Sequence, residues 1–163
     1  MKRGLRNNNP LNIRLNNTCW QGMSKEQTDG TFVQFTTLAY GYRAAWRILF
    51  TYFYRFVTQK KLFTIDNIVH RWAPPTENDT EAYIGAVTQL TGIGREEKLL
   101  SPFNVESYPK LSELIAAMTT IENGIPMTEV NRDAILEGYL LAFPDHRPAL
   151  MKLLAEYDEY KDW

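Results

Sequence analysis

The sequence predicts an α+β protein that is mainly α-helical, with a small N-terminal β-ribbon and about six helices. Three observations predict this class. Apolar residues recur at three- and four-residue spacing from Leu38 onward, the period of a helix face. Before that point lie short alternating segments and the turn signal Asp29-Gly30. No repeat, low-complexity stretch or linker divides the 163 residues, so 1–163 reads as a single domain, long enough to bury a core.

The ribbon comes first. Leu11-Asn12-Ile13-Arg14 alternates apolar and polar after the polar run Asn7-Asn8-Asn9-Pro10, and Thr31-Phe32-Val33-Gln34-Phe35 has strand composition. A long helix over 38–57 carries Tyr42, Trp46, Leu49, Phe53 and Phe56 on an aromatic core stripe. Thr64 caps a helix over 65–72, which Pro74-Pro75 ends. Asn78 is the expected N-cap of a helix over 79–90, with Glu81 three residues on completing a capping box and Gly92 and Gly94 closing it. Pro109 fits the first turn of a helix that reaches Glu122 and stops at Asn123-Gly124. Thr128 caps the next helix, to about residue 143, and Pro148 opens a final amphipathic helix to about residue 160.

The formal net charge of −1 conceals an asymmetry. Residues 1–72 hold eleven basic and three acidic side chains, a net of +8; residues 73–163 hold seven and sixteen, a net of −9. Most carboxylates suited to acid–base chemistry therefore lie in the second half. A basic first half raises nucleic-acid binding through phosphate neutralisation. Against it, Arg43, Arg47 and Arg55 share a strongly apolar helix, where a solvated face or ion pairs to the acidic half account for them. Nucleic acid is thus a disfavoured partner. One cysteine, Cys19, excludes an internal disulfide and is expected as a small buried residue. His70 and His146 are too few and too scattered for a metal site, and no cofactor is expected; His70 reads as a helix-surface or packing histidine. The stretch around 44–56 is broken by Arg47 and Arg55 and cannot span a bilayer, so no membrane insertion is expected. The start Met1–Asn9 lacks an apolar segment, which implies synthesis in the cytoplasm without a signal peptide and delivery by other means if the protein acts outside.

Three groups of residues are candidates for chemistry. Glu122 shares a helix face with Ile115 and Met118 at roughly 100° per residue, and it lies in the last turn, where the helix dipole disfavours negative charge. Both effects raise a carboxyl pKa, as a general acid near neutral pH requires. The same spacing suits a partly exposed glutamate whose stem covers the core edge. The segment Trp72-Ala73-Pro74-Pro75-Thr76-Glu77-Asn78-Asp79-Thr80-Glu81-Ala82-Tyr83 joins aromatic faces to carboxylates and amides, the mixture that binds sugars. Paired carboxyls across a scissile bond are the usual glycosidase arrangement. Ordinary helix capping by Asp79 and Glu81 is the alternative. Finally, Arg6-Asn7-Asn8-Asn9-Pro10-Leu11-Asn12-Ile13-Arg14 with Trp20-Gln21-Gly22 is either a dense hydrogen-bonding surface or a mobile terminal loop.

Those last residues, with Phe32-Val33-Gln34-Phe35, Tyr40-Gly41-Tyr42-Arg43-Ala44 and the stretch 71–83, resemble a family of phage and prophage virion proteins linked to peptidoglycan hydrolysis. Its usual start is Asn-Asn-Pro-Gly-Asn-Ile-Arg, with Leu11 here in place of the glycine, and Ile121-Glu122-Asn123-Gly124 is similar to its later glutamate–asparagine–glycine segment. The resemblance covers most of residues 3–142. More distantly, these pieces resemble glucosaminidases and lytic transglycosylases of the lysozyme superfamily, in a different chain order. That resemblance implies a circularly permuted lysozyme-like domain in which Glu122 docks beside the N-terminal asparagines. It implies a peptidoglycan-cleaving glycosidase or lytic transglycosylase of phage or mobile-element type. Glu122 and Glu77 would then be catalytic, and Asn8, Asn9, Trp20, Trp72, Asp79 and Tyr83 would bind substrate. The implied partners are peptidoglycan glycan strands and other virion proteins, with action on the cell wall from a virion. The alternative is a non-catalytic virion structural or glycan-binding protein of the same fold.

Overall fold

Helices dominate the computed structural model of the chain, which describes residues 1–161, with side chains through Tyr157. Among the described residues they run α1 (Arg3–Arg6), α2 (Leu38–Thr58), α3 (Ile65–Trp72), α4 (Thr80–Thr91), α5 (Tyr108–Asn123), α6 (Arg132–Ala142) and α7 (Arg147–Lys161). No helix among them is long and apolar enough to cross a membrane.

α2 is the spine. Its Thr37 cap accepts a bond from Tyr40 N, and its stripe of Tyr42, Trp46, Leu49 and Phe56 is buried. The Trp46 indole donates to Ile135 O at 3.1 Å, stacks on Tyr108 at 5.5 Å and meets Tyr139 edge-on at 4.8 Å. α6 crosses α2 at backbone contact, because a Cβ on Gly138 would lie 2.6 Å from Tyr42 Cβ and 2.9 Å from Ala39 O. α5 is central: Leu111, Leu114, Ile115, Ala116, Ala117 and Met118 are wholly buried, so it is covered on more than one face. A second, smaller apolar cluster joins Ile13, Val33, Phe35 and Ala44, and Trp72 packs against both clusters.

The expected ribbon does not form a sheet. The described residues contain two isolated antiparallel bridges, Arg14 with Phe32 and Met23 with Phe35. The reason is local. The Asn9 amide accepts from Ile13 N at 2.9 Å and donates to the carbonyls of Ile13 and Val33, both at 2.9 Å, so a side chain fills ladder positions that a strand would occupy. The first 35 residues also contain the short α1. Two helix starts shift. Asp79, rather than Asn78, caps α4 by accepting from Ala82 N, and Glu81 turns away to Arg95 instead of closing a box. Asn131, rather than Thr128, caps α6, and residues 127–129 form a separate 3₁₀ turn. Thr64 caps α3 through Asn67 N. Cys19 is exposed, contrary to expectation, because it lies in the polar loop between Arg14 and Trp20 rather than under a helix. Arg47 makes no ion pair among the described residues; its guanidinium lies over Phe50 and Phe143.

The groove around Glu122

α5 stops because Gly124 adopts the left-handed conformation (φ 64°) and returns its N–H to Thr120 O. The stop leaves Glu122 in the last turn with its carboxylate half-buried. Three elements converge on it. Asn12 donates its amide to Oε1 at 3.2 Å, and the Tyr83 hydroxyl of α4 donates to Oε2 at 3.1 Å. The Trp72 side chain at the end of α3 lines the same groove and also favours the ionised carboxylate. Burial pushes the Glu122 carboxyl above its ordinary value, and these three side chains, which favour the charged form, oppose but do not cancel the shift. Burial, reinforced by the neighbouring Glu122 charge, pushes the Tyr83 hydroxyl well up as well.

Asn12 can reach Glu122 because the N-terminal segment is fastened to the end of α5. Asn123, itself buried, donates to Pro10 O at 2.7 Å and to Thr119 O at 2.9 Å. Gly4 passes so close that a Cβ would meet the side-chain oxygens of Asn123 and Asn12 at 2.6 and 2.8 Å. Asp29 ties the outer side of the loop. It accepts from Arg3 Nε at 2.8 Å, from Asn7 at 3.0 Å and from Phe32 N at 3.0 Å, and these donors hold its carboxyl well below the usual carboxylate range.

Glu122 faces a groove of about 610 Å³. Trp20, Trp72, Glu77 and Asn78 line it with Asn12 and Arg14. Of the expected site residues, the structure thus brings Glu122, Glu77, Trp20 and Trp72 together. Tyr83 is buried and touches Glu122 without belonging to the lining. Asp79 caps α4 outside the lining, with Oδ1 3.0 Å from Ala82 N. Asn8 and Asn9 lie outside it too. Asn8 takes a left-handed turn (φ 53°) and donates to Phe35 O, while Asn9 is wholly buried within the loop. Sequence reasoning missed Asn12 and Asn123. Both stand inside the motifs already singled out, but their partners lie 110 and 113 positions away.

Outside the groove, ligand atoms of Asp66, His70 and Glu81 lie within 4.8 Å of one another. The Arg95 guanidinium already binds both carboxylates, at 2.5 Å to Asp66 and 2.8 Å to Glu81, and so offsets one of their two charges.

Fold and site together define a helical protein with an open groove, lined by a hydrogen-bonded glutamate and two tryptophans. The chain is 46% identical to protein P5 of Pseudoalteromonas phage PM2 over 144 residues, which is 86% of this chain and 82% of that protein. It belongs to the family of that phage protein. No protein-family model matches the chain.

Proposed function

We propose that this chain is a virion-associated phage protein that holds a glycan strand of peptidoglycan in the groove beside Glu122. The observation that carries the reading is the lining itself: Trp20 and Trp72 offer faces for sugar rings, while Glu77, Asn78 and Glu122 offer groups for hydroxyls. Membership in a phage family supports the virion setting, with other virion proteins as neighbours. The test is co-sedimentation with purified cell-wall sacculi. Wild type is expected in the pellet, and Trp20→Ala, a change at a half-exposed ring, is expected to reduce the bound fraction severalfold. Wild type left wholly in the supernatant overturns the reading.

One observation favours a second reading, cleavage of the bound strand. Glu122 is half-buried on the groove, held by Asn12 and Tyr83, and burial displaces its ionisation upward, towards the protonated state from which a general acid protonates a glycosidic oxygen. Glu77 would then act as the second carboxylate, ahead of Asp79, or would orient substrate; in a lytic transglycosylase a single acid/base suffices. The permuted lysozyme-like arrangement is the structural premise, supported by the bonds from Asn12 to Glu122 and from Asn123 to Pro10. Sacculi incubated with wild type are expected to release soluble muropeptides, with Glu122→Gln inactive and Glu77→Gln impaired. Full lysis by Glu122→Gln removes the assignment, and binding without release supports the non-catalytic reading.

A further inference from the structure

The groove carries both signs of charge. Glu77, Glu122, Arg14, Arg55 and Arg71 all line it, and Arg55 and Arg71 stand where it adjoins a second cavity that neither carboxylate lines. None of these three arginines pairs with a carboxylate among the described residues, where the ion pairs are made by Arg3, His70, Arg95, Lys110 and Arg132. Exposed guanidiniums left unpaired in a chain with an acidic second half are available to a ligand.

The basic part also continues. Tyr52, Arg55 and Arg71 line both the groove and an adjoining cavity of about 240 Å³, to which Lys61, His70 and Asn67 contribute. Burial pushes the Tyr52 hydroxyl upward and the charges of Arg71 and Arg55 pull it back, so both guanidiniums lie near that hydroxyl. Asp66, the carboxylate of α3, lines neither cavity and is engaged by Arg95, with a contact to His70. The cavity is therefore cationic with an aromatic hydroxyl beside it, suited to carboxylates held by guanidinium forks.

We propose that the groove takes glycan strands that still carry their peptide stems, with sugar at the Glu122 end and stem carboxylates at the Arg55–Arg71 end. This inference rests on the glycan reading given above and specifies its substrate. A uniform polyanion fits less well. A phosphate backbone occupying the basic end would run on past Glu77 and Glu122, which repel it. A neutral polysaccharide leaves three guanidiniums unused. A strand with neutral sugars and anionic branches satisfies both ends.

The experiment compares two preparations of the same strands with the full chain: glycan with intact stems, and glycan stripped of stems by an amidase, with the lactyl carboxylates that this hydrolysis leaves on the muramyl residues then capped as amides. The readout is the ratio of their affinities. Wild type is expected to favour the intact strand by about fivefold at low salt, the scale of two partly exposed ion pairs. The ratio is expected to fall towards one at 0.5 M salt, because such pairs are screened. In Arg55→Gln/Arg71→Gln the ratio is expected to be near one at all salt concentrations. Both side chains are exposed, so loss of folding is not expected, and a thermal melt checks it. A second variant, Lys61→Gln, is expected to lower the ratio partway. Equal affinity of wild type for both strands overturns this inference and leaves the glycan reading standing. Binding to neither overturns the glycan reading itself. Tighter binding of duplex DNA or of anionic vesicles than of intact strands, lost in the double variant, assigns the basic end to a different partner and also overturns the inference.

Discussion

Replacing Gly41 with alanine tests the contact that holds the asparagine loop in place. Gly41 lies in the first turn of α2, where the chain of Asn8 and Pro10 rests directly on the helix backbone. A Cβ at Gly41 would lie 2.0 Å from Asn8 O, 2.8 Å from Pro10 Cδ and 3.0 Å from Asn8 C. An ordinary carbon–oxygen contact is about 3.3 Å, so the Asn8 carbonyl must retreat by roughly 1.3 Å. That carbonyl cannot move alone. Asn8 is bonded to Phe35 O, Asn9 to Ile13 and Val33, and Pro10 O to Asn123. Overpacking against backbone, with one or two of these bonds lost, costs about 3 kcal/mol. For a chain of this size that lowers the melting temperature by about 6–12 °C. The assay is thermal unfolding by circular dichroism, with Gly85→Ala as the control. Gly85 is an exposed glycine within α4 whose Cβ would meet nothing within 4 Å, so alanine there is expected to stabilise by about 0.5–1 kcal/mol. The loop also carries Asn12, so Gly41→Ala is expected to weaken sacculus binding while Gly85→Ala does not. A Gly41→Ala protein that melts within about 2 °C of wild type refutes the close approach of loop and helix.

Three further outcomes follow from the site. Tyr83→Phe removes the hydroxyl that donates to Glu122, and it is expected to destabilise the protein near neutral pH by about 1–2 kcal/mol in denaturant titration, with a carboxyl that titrates still higher. Because Glu122 holds its proton more tightly folded than unfolded, wild-type stability is expected to fall as pH rises from its ordinary value of 4.5 through the raised value; Glu122→Gln lacks this fall, and parallel titrations across that range measure the difference. Asp29 has the opposite sign: its folded carboxyl is held low, so its contribution is present above the ordinary value of 3.8 and is lost as pH falls, and Asp29→Asn is expected to remove that acid-side loss in melts between about pH 5 and 2.

Much of the helical framework was legible because its signals are local. The cap at Thr64 and the left-handed stops at Gly92 and Gly124 are decided within a few residues. Where two capping residues stood close together, as at Asn78 and Asp79, local chemistry did not choose between them. The position of Glu122 was legible for the same reason, since the last turn and the apolar face of α5 can be counted from Pro109. Its partners were not. Tyr83 stands 39 positions away and Asn12 stands 110 away, and only the tertiary fold brings them within hydrogen-bond distance.

The asparagine run shows why composition misled on the ribbon. Alternation in Leu11-Asn12-Ile13-Arg14 suggests a strand, but a carboxamide can donate and accept at once and so can replace a neighbouring peptide group. Asn9 does this at Ile13 and Val33, while Asn8 and Asn12 both take left-handed turns (φ 53°). Leu11, at the position where the resembled motif has glycine, needs no such freedom. Its side chain is 1% exposed, in the main core, and burying it contributes about 2 kcal/mol. The loop is thus pinned between an apolar anchor and two asparagine turns. The second of those turns aims Asn12 at Glu122, so a residue that folds the loop also favours the ionised form of the acid in the groove, against the burial that raises it.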